Sequence, residues 1–267
     1  DIFVYSTLAD LGKYLDEQSK GTLLPAITAR DRSGRIPLSF SQERLWFIDQ
    51  LHGSTEYHMP LNLELTGELD VAVLEASFRE IVLRHEVLRT VIISEDGVGY
   101  QEIMPIDNWK LEEVEISSEE ELEADLSNFV GQPFDLSKDY MLRVRLYRLG
   151  GNRYVLSGVF HHIASDGWSN GLFIQEFMEL YKALSTSRTP ALEALPIQYA
   201  DYALWQRQYI EGAVLDEQLS YWEDQLTGTV PLSLPTDYPR PEVQSNEGAR
   251  LSFTLDKALS DSLQALC

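Results

Sequence analysis

Cysteine is nearly missing from this chain: its 267 residues include one, Cys267, at the last position. An intrachain disulfide and a cysteine-based metal site are therefore excluded, and the composition suits a cytoplasmic protein. Basic residues are also scarce. Lys and Arg total 21 against 43 Asp and Glu, a formal net charge of −22. So acidic a chain is a poor binder of nucleic acid, because it repels phosphates. No apolar run is long enough to span a membrane, and no basic-then-apolar leader opens the chain. Nucleic acid and membrane are therefore not expected partners. The first residue is Asp1 rather than Met, and the last lie within a helical pattern. We expect a piece of a longer protein.

Hydrophobic residues make up 44% of the chain, enough for a core. Residues 6–15 read as a short helix, with Leu8, Leu11 and Leu15 on one side. Residues 18–36, rich in turn formers, read as a linker. From Pro37 the pattern firms. Ser39 and Gln42 fit a capping box before a helix to about Leu51, with Leu45, Phe47, Ile48 and Leu51 as its apolar side. Asn62 to Leu69 alternates like a strand, and Asp70 caps a helix with Leu74, Phe78, Ile81, Val82 and His85 on one stripe. Val91 to Ile103 reads as a hairpin about Asp96-Gly97, and Glu119 to Val130 as a helix with an acidic first turn. Met141 to Ile163 reads as a second hairpin. Its return strand is apolar on both faces, which predicts a central position in the sheet. Helices follow from about Asn170, over Tyr199 to Ile210 and over Leu215 to Leu226; a short strand about Leu251–Leu255 precedes the last one. Mixed helices and hairpins indicate an α+β layered fold.

The stretch HHIASDGWS over residues 161–169 stands where the central strand ends. Adjacent strand residues point to opposite faces, so His161 and His162 have different surroundings. One is expected in the core and the other toward a cleft. Imidazole titrates near neutral pH and suits proton transfer, but it serves equally as a structural hydrogen-bonding group. Because the two rings diverge and no Cys or Glu stands at ligand spacing, a metal site is disfavoured. Asp166 could bind loop amides or an arginine. Gly167 would permit a sharp turn, with Ser169 or Asn170 capping the next helix.

This stretch resembles the HHxxxDG signature of condensation domains in nonribosomal peptide synthetases. Three other segments match that family in order: LSFSQERLWF over residues 38–47, RHEVLRT over 84–90 and YADYALWQ over 199–206. The resemblance runs from Pro37 onward and implies a chloramphenicol acetyltransferase-like N-terminal lobe, a mixed sheet with packed helices. In that family two lobes form a V about a tunnel, and carrier domains present substrates on phosphopantetheine at opposite mouths. The later motifs are missing here, so the C-terminal lobe is expected elsewhere. DIFVYSTLADL over residues 1–11 resembles the end of a peptidyl carrier domain. The resemblance thus divides the chain into a carrier end (1–17), a linker (18–36) and the N-terminal lobe (37–267).

The implied reaction is amide formation. The amine of an aminoacyl thioester attacks the carbonyl of a peptidyl thioester, with a lean toward an L-configured donor. His162 is the implied catalytic residue, as base or as amine-orienting group, and the Gly167 amide an oxyanion donor. His161, Asp166, Arg84, His85 and Arg89 are implied structural residues at the site, with Arg84, Arg89 or a residue of the missing lobe as the arginine for Asp166. Trp46 and Trp205 read as core. No cofactor is expected to bind directly. Implied partners are upstream and downstream carriers, the adenylation domain of the same module and the missing lobe. Intact His161 departs from cyclisation domains; epimerisation domains share the signature, and a soluble-thioester acyltransferase or a docking platform are the remaining alternatives.

Overall fold

The computed structural model describes residues 24–107, 109–240 and 253–266, together with residues 7, 9, 13, 242 and 251. The expected carrier segment over 1–17 thus falls almost wholly outside the described residues. The chain divides into two compact units, residues 1–225 and 226–267.

The first unit holds two sheets. Strands β1 (Ile36–Pro37), β3 (Thr90–Glu95) and β4 (Val98–Ile103) form one, in the order β1-β4-β3. Asp96 and Gly97, with φ of 51° and 79°, turn β3 into β4; two left-handed residues match the twist of a tight hairpin. The second sheet has the order β2-β7-β6-β5, from β2 (His58–Thr66), β5 (Glu112–Glu115), β6 (Leu142–Arg148) and β7 (Arg153–His161). The β5–β6 pair is parallel and the others antiparallel, so the sheet is mixed.

Helices cover this sheet on both faces. Leu156 and Phe160 of β7 pack with Phe78, Ile81 and Val82 of α2 (Val71–Arg84) and with Leu180 of α4 (Gly167–Ser185). On the opposite face Val159 packs with Leu45 of α1 (Phe40–His52), Phe129 of α3 (Glu119–Gly131) and Ile163 beyond the strand. β7 therefore lies between β2 and β6 with both faces buried, which accounts for its unbroken apolar pattern. Gly99 of β4 allows another close approach: a Cβ there would stand 2.8 Å from Leu38 Cδ1 and 3.1 Å from Trp46.

Several local expectations hold. Ser39 and Gln42 form the capping box of α1, and Asp70 caps α2 through the Val73 amide. Others need correction. Phe47 and Leu51 are 60% and 63% exposed, because α1 turns Gln42 and Leu45 inward instead. The first strand of the larger sheet begins at His58 rather than Asn62, extended by its pairing with the end of β7. Trp205 is buried in α5 (Tyr199–Tyr209), whereas Trp46 is half-buried against the second core. The unit ends in α6 (Gly212–Leu226).

Residues 24–35 take no regular structure but are fastened to α5. Trp205 Nε1 donates to the Pro25 carbonyl at 2.8 Å. Asp201, fully buried, accepts from the Arg30 amide, the Gln198 amide and the Arg32 guanidinium. Burial pushes the Asp201 carboxyl up, but these donors outweigh it and hold it below the usual range.

The second unit contains α7 (Lys257–Leu266). The strand expected about Leu251–Leu255 is not formed among the described residues there. Among the described residues, no helix is long and apolar enough to cross a membrane.

Candidate active site

β7 delivers the two histidines to different surroundings, as the alternation of a strand requires. His161 is fully buried. Its Nδ1 accepts the Ile163 amide at 3.1 Å, and its Nε2 lies 2.9 Å from Ser54 Oγ. Ser54 Oγ in turn donates to Asp49 Oδ1 at 2.6 Å. A hydroxyl carries one proton, and Ser54 gives it to the carboxylate, so His161 must donate from Nε2. The acceptor role of Nδ1 requires the same tautomer. Burial, assisted by the neighbouring His58, His162 and Arg143, pushes the His161 imidazole down to about 4. His161 is thus a neutral, fixed ring.

His58, opposite His161 in the β2–β7 pairing, is a third member of this group. The ring centroids are 6.0 Å apart in an edge-on arrangement. His58 Nδ1 bonds the Val130 carbonyl at 2.7 Å, and burial lowers its pKa as well. Phe134 stands edge-on to both rings, with the Arg143 guanidinium over its face.

His162 is exposed. Its amide donates to the Tyr57 carbonyl at 2.9 Å, and among the described residues its imidazole makes no hydrogen bond. The ring is open to an incoming group, while its backbone is fixed.

Of the two roles expected of Asp166, it takes the one of binding a loop amide. It is the N-cap of α4, which begins at Gly167 rather than near Asn170. Asp166 Oδ1 accepts from the Ser169 amide at 2.8 Å and from Ser169 Oγ at 2.7 Å, and these bonds hold its carboxyl below the usual range. Among the described residues it pairs with no arginine. Arg84 instead meets Glu176 through Nε and Nη2, both at 3.1 Å, and donates to the Glu193 carbonyl. His85 Nε2 joins the same carboxylate at 2.6 Å. Burial raises Glu176, but Arg84 and His85 outweigh it. Arg89 bonds the Met104 carbonyl and lies near Glu86. These residues tie α2 and its following turn into the scaffold and leave Asp166 alone.

Gly167 is exposed, its φ is not left-handed, and a Cβ there would meet nothing within 4 Å. The sharp-turn role expected of it is therefore not required. As first residue of α4, it contributes an amide without an intrahelical acceptor at the positive end of the helix. The exposed His162 imidazole stands at the strand end, and the Gly167 amide at the helix start.

A cavity of about 380 Å³ lies between β2 and α4 and is lined by Leu63, Leu156, Phe160, Phe177 and Met178 among others, without either signature histidine. Among the described residues, no group of three His, Cys, Asp or Glu side chains could hold a metal ion. Sequence reasoning did not single out Asp49, Ser54, His58 or Glu176. Ser54 and His161 are 107 residues apart, and no local pattern links them.

A family model described as the condensation domain matches residues 32–267. The match begins at Arg32, the residue that pairs with Asp201. One of the proteins that make up the linear gramicidin synthase of Brevibacillus parabrevis is 44% identical over 276 residues, covering 99% of this chain and 5% of that protein. The X-domain from teicoplanin biosynthesis superposes with a TM-score of 0.75 at 33% identity, over 84% of this chain and 50% of that one. The first condensation domain of the CDA synthetase gives 0.61 at 25% identity, over 73% and 51%. The chain therefore spans a small part of the curated relative and about half of each solved domain.

Proposed function

This chain belongs to the condensation-domain family of nonribosomal peptide synthetases, and we propose that it supplies the histidine-bearing lobe of a domain that joins two carrier-bound substrates by an amide bond. Residues 37–267 are that lobe, 18–36 its linker and 1–17 the end of the preceding carrier. The observation that carries the reading is the division of labour at the end of β7, where a neutral buried His161 anchors an exposed His162.

The acceptor's amine nitrogen attacks the donor's thioester carbonyl, forming a tetrahedral intermediate. The C–S bond then breaks and the amide remains. The proton lost by nitrogen passes to the departing sulfur, and His162 is the group to orient the amine and carry that proton. An α-amino group titrates near 8, so part of it is already neutral at cellular pH; orientation contributes alongside base strength. The Gly167 amide, at the positive end of α4, is the donor for the developing oxyanion. Both pantetheine arms enter as parts of the substrates, delivered by upstream and downstream carriers, with the module's adenylation domain selecting the acceptor. Asp166, His161, Arg84, His85 and Arg89 hold the frame.

The test is to incubate the complete condensation domain with a donor-loaded and an acceptor-loaded carrier and follow the donor's transfer by mass spectrometry. Amide product on the acceptor carrier supports the reading. A domain that binds both carriers without transferring the donor would instead be a docking platform.

A further inference from the structure

The short turn Thr55–Tyr57 touches both signature histidines by separate routes. Its preceding residue, Ser54, bonds the His161 ring, and its last residue, Tyr57, accepts the His162 amide through its carbonyl. The turn closes on itself through the Tyr57 amide and the Ser54 carbonyl at 2.9 Å. It is fixed to the end of α1 by the bond from Ser54 Oγ to Asp49. Two consecutive residues, His161 through its side chain and His162 through its backbone, are thus referenced to the same short piece of chain.

The proton arrangement admits no slack. Asp49 can only accept, so Ser54 donates to it; Ser54 then accepts from His161 Nε2, and His161 Nδ1 accepts from Ile163. That last bond shapes the turn leaving β7, together with the Ala164 amide donating to the His161 carbonyl at 3.0 Å. His162 lies between these points. Ser54 is 3% exposed and His161 is fully buried, so water does not replace a lost partner at little cost.

We propose that Ser54 and Asp49 are positioning residues for the condensation step: the chain Asp49–Ser54–His161 sets the direction in which His162 presents its ring. The inference rests on the proposed role of His162. Neither Ser54 nor Asp49 touches substrate; they act through His161 and the turn. Removing the Ser54 hydroxyl strands the His161 N–H and frees the ring to rotate, which relaxes the Ile163 turn. Misplacement of a reacting group by about 1 Å can cost on the order of a hundredfold in rate.

The test compares Ser54→Ala, Ser54→Thr and His162→Ala in the complete condensation domain with loaded carriers. Ser54→Ala is expected to lower kcat by roughly tenfold to a hundredfold, with KM for both carriers unchanged. Ser54→Thr, which restores the hydroxyl, is expected to recover most of the rate. If His162→Ala is inactive while Ser54→Ala keeps the parental kcat, or if Thr gives no recovery, the positioning role is wrong and the function stands. If His162→Ala keeps the parental rate, the functional reading itself fails. Imidazole nitrogen resonances of the unaltered protein give a readout independent of activity and of how well the variants fold. His161 is expected as the neutral Nε2–H tautomer, and the Nδ1–H tautomer would overturn the relay.

Discussion

Asp166 and Ser169 hold each other across the first turn of α4: the carboxylate accepts both the amide and the hydroxyl of Ser169, at 2.8 and 2.7 Å. The aspartate of the signature is therefore a helix cap in this chain. Asp166→Ala should cost about 1 kcal/mol, and Asp166→Asn, which caps almost as well, little. Because Ser169 holds the carboxyl below its usual range, the charged cap's contribution is complete above the ordinary carboxylate range and is lost as pH falls through the lowered value. Urea unfolding of the two variants checks this. A large loss from Asn would point to a buried arginine partner.

His161 gives the fold a pH dependence of its own. Its folded value of about 4 lies below the ordinary 6.5. The unfolded chain therefore binds a proton first as pH falls, and stability declines from about pH 6.5 to about pH 4, by about 3 kcal/mol in all. Above 6.5 this group adds no slope. Denaturant midpoints at about pH 7.5, 5.5 and 4.5 should follow this course, and His161→Gln should flatten it.

The fastening of residues 24–35 depends on Asp201. Asp201→Ala takes the acceptor from the Arg30 and Gln198 amides, while Arg32 keeps Glu86, and should cost about 2 kcal/mol. It should also speed tryptic cleavage at Arg30, Arg32 and Arg35. Unchanged cleavage would mean that the Trp205–Pro25, Arg30–Gln208 and Arg32–Glu86 contacts hold the segment without it.

Much of the fold and of the site is legible in the sequence where it is local. The two-sided apolar run of β7 marks its central place, and strand alternation separates His161 from His162. The Asp96-Gly97 turn and the caps of α1 and α2 follow from side chains within four residues. What escapes depends on distant partners. The parallel strand Glu112–Glu115 forms by pairing with β6 across a helix, and its three glutamates are poor strand formers on their own. The start of α4 falls earlier than its sequence suggests. Gly167 and Trp168 are weak helix formers, but the Asp166–Ser169 box overrides that preference. An arginine for Asp166 would be a tertiary contact, which no local pattern specifies, and Glu176 takes Arg84 instead.

The proposed condensation step runs through the exposed ring of His162. Its ring makes no hydrogen bond among the described residues, and its amide bond to Tyr57 survives truncation of the side chain, so His162→Ala should fold and melt like the parent. The decisive measurement is the single-turnover rate of amide formation between loaded donor and acceptor carriers, in the complete domain with and without this substitution. The expected result is a fall of roughly two to four powers of ten with unchanged carrier binding. Amide formation by the variant at the parental rate would contradict a role for His162 in the condensation step.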